Sequence, residues 1–102
     1  MWEQLKPRNQ DMIINASYED FASIQVERRK NKNSEDIVHY LVTVRINDIT
    51  EQCLDLYKFD EVEKALAFIR REIEELYDNI PLYTDEEIED WVENFIDLIS
   101  EY

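Results

Sequence analysis

Near the end of the chain, Glu86, Asp90, Glu93, Asp97 and Glu101 follow one another at steps of 4, 3, 4 and 4, with Glu89 beside them. At about 100° per residue these six carboxylates share roughly 120° of a helix surface. No base interrupts them, and like charges stand four apart at 85–89, 86–90, 89–93, 93–97 and 97–101. At about 0.2–0.5 kcal/mol for each pair, the repulsion costs on the order of 1–2.5 kcal/mol at low salt. A helix that needed only solubility could mix its charges. The chemistry this ladder suits is capture of a basic surface, and the commonest basic grooves are made for nucleic acid. One helix is a sparse copy of DNA, because the ladder spreads its acids over about 22 Å whereas duplex DNA carries a charge every ~1.7 Å of axis. Glu74, Glu75 and Asp78, on a preceding helix, are therefore expected to supply a second row.

Catalytic chemistry has fewer candidates. His39 is the only histidine, and it falls in a strand opposite the expected core face. Cys53 is the only cysteine, in a strand-like run with no base beside it, and a packing role is expected. Carboxylate pairs can be drawn anywhere in so acidic a chain and identify no general acid or base. The acids at 85–90 lie in a capped helix, whereas a calcium loop needs a tight turn, usually with glycine at its centre. Glycine is absent altogether, which excludes a glycine-rich phosphate cradle, a dinucleotide fingerprint and a nucleophile elbow. No enzyme, metal or cofactor is expected.

The elements that must carry these residues can be read in turn. Val62, Leu66, Ile69, Ile73 and Leu76 recur at helical steps within 60–79, widened by Ala65 and Tyr77. Asn79 suits a left-handed cap and Pro81 a stop. Thr84 and Glu87 form a capping box, and Tyr83 with Ile88 a hydrophobic staple, at the head of a helix over 84–101. Its apolar face is Ile88, Trp91, Val92, Phe95, Leu98, Ile99 and Tyr102, with Trp91 expected to be largely buried against the first helix. Upstream, Ala22, Ile24 and Val26 alternate with polar residues, and Val38, Tyr40, Val42, Val44 and Ile46 do the same; a third strand runs from about Gln52 to Phe59, with Leu54 and Leu56 on one face and Cys53, Tyr57 and Phe59 on the other, so that its orientation is open. Arg28 to Asp36 reads as a polar loop, and 1–20 as an anchor segment with one helical turn before Pro7 and a turn at 17–20. The expected fold is a single α+β domain over 1–102: a three-stranded antiparallel β-meander over 21–59 followed by two amphipathic helices packed on the sheet.

The chain of 102 residues is long enough for a core of its own. Its charge is lopsided: residues 1–59 hold ten acids and eight bases, residues 60–102 fifteen acids and three bases. One cysteine permits no internal disulfide, which fits a reducing, cytoplasmic setting. No apolar run approaches the roughly 18–20 residues of a membrane span, and the start lacks the pattern of a signal peptide.

A small, cysteine-poor, strongly acidic α+β domain with a three-stranded antiparallel sheet followed by acidic helices resembles the DNA-mimicking inhibitors encoded by phages. It is similar in particular to anti-CRISPR proteins that act on RNA-guided nucleases. The likeness spans about Phe21 to Tyr102 and lies in charge and element order. It implies a stoichiometric blocker whose carboxylates occupy the Arg/Lys cleft that reads the protospacer-adjacent motif or holds DNA phosphates. The partner is then a basic nucleic-acid-binding protein such as a Cas nuclease, with no direct binding to DNA and none to membranes. Arg28, Arg29, Lys30 and Lys32 depart from a pure mimic. The alternative is a protein–protein adaptor or regulatory subunit that uses the apolar rim around Trp91 and Tyr102, its acids serving only solubility.

Overall fold

The computed structural model describes the backbone of residues 1–31 and 34–100, and the side chains of 1–30 and 38–100. Five described strands form one antiparallel sheet in chain order: β1 (Trp2–Gln4), β2 (Met12–Tyr18), β3 (Ala22–Asn31), β4 (Ser34–Ile46) and β5 (Thr50–Leu56). Helix α1 (Phe59–Asp78), a 3₁₀ turn at Ile80–Leu82 and helix α2 (Asp85–Ser100) follow. The α+β class is as expected; the three-stranded meander is not, because the N-terminal segment adds two strands to it.

Period-two alternation sets the two faces of the sheet. Ile24 pairs with Val44 and Ala16, and Val42 with Val26 and Leu54, so these side chains share one face. They are buried under α1 and α2 together with Val62, Leu66, Ile69, Ile73 and Leu76 of α1 and Ile88, Val92, Phe95, Ile96 and Ile99 of α2. The opposite face carries Gln25, Thr43 and Cys53 in one row and Ser23, Arg45 and Glu51 in the next. Cys53 is exposed there, 3.7 Å from Thr43 Oγ1, and packs into no core.

Strand β2 escapes a period-two reading because its register shifts between Met12 and Ile14. The extra residue turns Met12 to the face opposite Ile14, where it is buried and the Arg8 amide reaches its sulfur at 3.5 Å. On the same face Asn15 is buried with both ends of its amide satisfied. Its Nδ2 donates to the Lys6 carbonyl at 3.0 Å, and its Oδ1 accepts from Gln25 Nε2 at 3.4 Å. The one helical turn expected before Pro7 is instead strand β1, with Trp2 opposite Tyr18.

Turns without glycine use other residues at positive φ: Glu19 (51°), Asp20 (54°) and Asn47 (44°). Asn79 is not among them. Its φ of −111° lets the chain run on into the 3₁₀ turn, and its Nδ2 donates to the Glu75 carbonyl at 2.7 Å. Arg28, Arg29 and Lys30 extend β3 rather than forming a loop, because β3 and β4 stay paired past the core as a long hairpin. Lys32, Glu101 and Tyr102 lie outside the described residues.

Candidate interaction surface

The acidic arc is displayed by a helix whose start is well secured. Glu87 N–H donates to Thr84 Oγ1 at 3.2 Å, and the Thr84 amide donates back to Glu87 Oε1 at 3.4 Å, closing the capping box. Asp85, Glu86 and Glu87 face the positive end of the helix dipole. From this base Glu86, Glu89, Asp90, Glu93 and Asp97 all point into solvent. Among the described residues none of these five carboxylates takes part in an ion pair or a hydrogen bond; the Asp97 backbone carbonyl, not its side chain, accepts from Ser100 Oγ at 3.0 Å. The described ion pairs all lie elsewhere: Met1 with Glu19, Arg29 with Glu27, His39 with Asp55, and Arg45 with Asp48.

The arc faces away from α1 except at Asp90, its edge, which borders the space between the two helices. The helices meet through Phe68 and Phe95, whose rings sit edge-on at 6.5 Å, and through Trp91, whose Nε1 donates to Glu72 Oε2 at 2.9 Å. Trp91 and Leu98 lie roughly 80–100° to one side of the buried stripe of α2, and the arc is centred roughly 140° round the other way. The second acidic row is therefore not laid beside the first. Glu74 accepts a hydrogen bond from Trp2 Nε1 at 3.2 Å, on the flank of α1 that meets β1 and β2. Asp78 joins Glu74 beside the Tyr18 hydroxyl, whose pKa is held above its usual value by burial first and by Glu74, Asp78, Glu19 and Tyr77 after it. Of the three α1 acids, helix phase turns only Glu75 towards the α2 side.

Three features were missed by reading the sequence. Glu72 is a fixed acidic group at the helix–helix contact. Trp91 is only partly buried, held by Glu72 and by Tyr83, which meets it edge-on at 5.4 Å. Leu98, expected on the apolar face, is 51% exposed. Together they line an open groove of about 460 Å³ between α1 and α2, whose walls include Phe68, Tyr83, Trp91 and Leu98 and whose charged groups are Glu72, Glu87 and Asp90. An apolar residue left in the open at helical spacing looks, in sequence, the same as one in the core.

The uncovered sheet face offers little chemistry. His39 Nε2 lies 3.7 Å from Asp55 Oδ1, and the imidazole stands 6.2 Å from the Tyr57 ring. The register puts Cys53 four residues along β5 from the Tyr57 level, about 13 Å away. That is beyond reach for a thiolate–imidazole pair. Among the described residues no group of three metal-ligating side chains forms, and no helix is long and apolar enough to cross a membrane.

The chain is thus an α+β protein with a paired five-stranded sheet, two helices on one face and its acids gathered on the helices. No protein family, curated protein or solved structure matches it.

Proposed function

We propose that this protein is a non-enzymatic inhibitor that occupies the basic nucleic-acid groove of a target protein, with the outer face of α2 as the contact. The observation that carries this reading is the state of the arc. Five exposed carboxylates stand together on one helix and, among the described residues, form no ion pair with a cation, at a repulsive cost of about 1–2 kcal/mol. A partner with a row of Arg and Lys relieves that cost on binding and is drawn in at long range. An RNA-guided nuclease, whose DNA channel is positively charged, is a target of this kind. With the arc and the α1 acids on separate flanks, the contact is one row of charge and does not copy both strands of a duplex.

The test is competition. A guide-loaded RNA-guided nuclease is incubated with labelled target DNA and the protein is titrated in. Displacement of DNA that weakens steeply with salt is the expected result. Undiminished DNA binding across such nucleases and other basic nucleic-acid-binding proteins overturns the reading. A specific observation favours an adaptor as second reading: Leu98 and Leu82 leave 51% and 75% of their surface open. Binding that persists at high salt without displacing nucleic acid would select it.

A further inference from the structure

The groove between α1 and α2 supplies what the acidic arc lacks, which is apolar surface. Phe68, Tyr83, Trp91 and Leu98 line it, and its charged groups are all acids. The Trp91 ring is fixed before any partner arrives, by its bond to Glu72 at 2.9 Å and by Tyr83 edge-on at 5.4 Å. A fixed indole with carboxylates beside it is a site for a guanidinium or ammonium group, which gains from the ring face and from the charge together. Beyond Phe68 lies a second cavity of about 710 Å³ walled by Leu56, Ala65 and Ile99, with Glu61, Lys64 and Arg71 also lining it. Arg71 stands 6.0 Å over the Phe68 ring, so a basic side chain of the occupant is placed at the Trp91 end and not here. The net charge of −14 argues against a second copy of this chain or a nucleic acid as the occupant, since both are repelled.

We propose that the groove seats an amphipathic basic segment of the partner protein. An apolar side chain of that segment rests on Leu98 and Phe68, and a Lys or Arg side chain lies against Trp91 within reach of Asp90 and Glu87. This deepens the proposed function and rests on its premise of a basic partner. The arc steers the encounter through charge, and the groove gives a contact that salt does not screen.

The test uses the intact protein with Trp2→Phe, so that Trp91 is the only tryptophan. Two synthetic helix-forming peptides are titrated at physiological salt. One has leucines on one face and arginines on the other; its companion has the same arginines with alanine in place of leucine. The leucine peptide is expected to shift Trp91 emission and to bind about tenfold more tightly than its companion. Leu98→Glu is decisive because it removes apolar surface while adding a carboxylate. The groove requires about tenfold weaker binding of the leucine peptide, whereas attraction by charge alone requires stronger binding. Leu98→Ser repeats the test without new charge if the Glu variant does not fold. Glu51→Gln, on the uncovered sheet face away from both the groove and the arc, is expected to change peptide affinity by less than about threefold. Equal binding of the two peptides, tighter binding by Leu98→Glu or an unmoved Trp91 spectrum overturns the proposal. Displacement of nucleic acid by the parent and by Leu98→Glu alike discards the groove and keeps the inhibitor. Leu98-dependent peptide binding without nucleic-acid displacement does the reverse.

Discussion

Trp91 Nε1 donates to Glu72 Oε2 at 2.9 Å, so α2 is tied to α1 by a hydrogen bond from an indole to a carboxylate at a partly open edge. The bond sets the angle of the ring, and Tyr83 meets it edge-on at 5.4 Å. Trp91 stands at the boundary between the buried stripe of α2 and the groove.

Substitution at Trp91 is expected to cost less than at a core aromatic. A fully buried Trp→Ala change costs roughly 3–5 kcal/mol, and Trp91 is only partly buried. Trp91→Ala should lower unfolding free energy by about 2 kcal/mol in a urea titration. Trp91→Phe keeps most of the packing but loses the bond to Glu72, and should cost about 1 kcal/mol. A loss as large for Phe as for Ala would mean that the ring contributes through the hydrogen bond alone.

Asn15 should matter more than its polarity suggests. It is buried, and its amide bonds join the Lys6 carbonyl to Gln25 across β2 and β3. Asn15→Leu fills the volume but leaves two polar groups without partners, so a loss of about 1–3 kcal/mol is expected. The same substitution should also loosen the Leu5–Arg8 segment, measurable as faster amide exchange there. Wild-type stability in Asn15→Leu would show that this network is replaceable by water.

Asn15 also shows why part of the fold was hidden in the sequence. The stripes of α1 and α2 and the core faces of β3 and β4 were legible because a helical or two-residue period runs through each, whereas β5 has apolar residues on both faces and only the burial of Leu54 and Leu56 fixes its orientation. In β2 the bulge at Ile13 breaks the period, and a polar residue sits at a buried position, so Met12–Tyr18 carries no clean alternation. Strand β1 has three residues, too few to show any period. The acidic arc was legible for the same reason as the stripes. The placement of the α1 acids was not, since the side of α1 on which α2 docks depends on long-range packing of Phe68 on Phe95. Nor was the groove, because Trp91 and Leu98 share the spacing of core residues, and only the docking of α2 on α1 decides that they stay open.

Screening should stabilise the free protein. With a net charge of −14 and the arc carboxylates in no described ion pair, self-repulsion opposes the compact state. Raising sodium chloride from about 0.01 M to 0.5 M shortens the screening length from roughly 30 Å to below 10 Å. The melting temperature should rise by several degrees over this range. A flat or falling melting temperature would show that attractive pairs balance the repulsion.

High pH should probe the flank of α1 that meets β1 and β2. Burial, then Glu74, Asp78, Glu19 and Tyr77, raise the pKa of Tyr18 above its usual value near 10. A raised folded pKa means that the folded state binds the proton more tightly than the unfolded chain does. The contribution is therefore intact below about pH 10 and is lost as pH climbs through the raised folded value. Stability should fall in that window, and fall less in Tyr18→Phe, which has no proton to lose. Parallel pH curves for the two proteins would show that the hydroxyl does not feel its acidic neighbours.

The arc itself can be tested by a change whose effects on stability and on binding have opposite signs. Asp90 and Asp97 are exposed on α2 and contribute nothing to its buried stripe. Asp90→Lys with Asp97→Lys turns the repulsive pairs Glu86–Asp90 and Glu93–Asp97 into Glu–Lys pairs of the favourable order. It also places a cation in the last turns of the helix, where the dipole favours one. The free protein should gain about 1 kcal/mol in a denaturant titration. Against a basic groove the same change replaces two attractions by two repulsions. Affinity should drop by several kcal/mol where the contacts are desolvated and by much less where they stay wet. A purely solvated face predicts the gain in stability without the loss in binding, because nothing then reads the charge. Destabilisation by the double substitution would instead mean that Asp90 or Asp97 holds the fold together, and the arc could no longer be taken as a surface kept free for a partner.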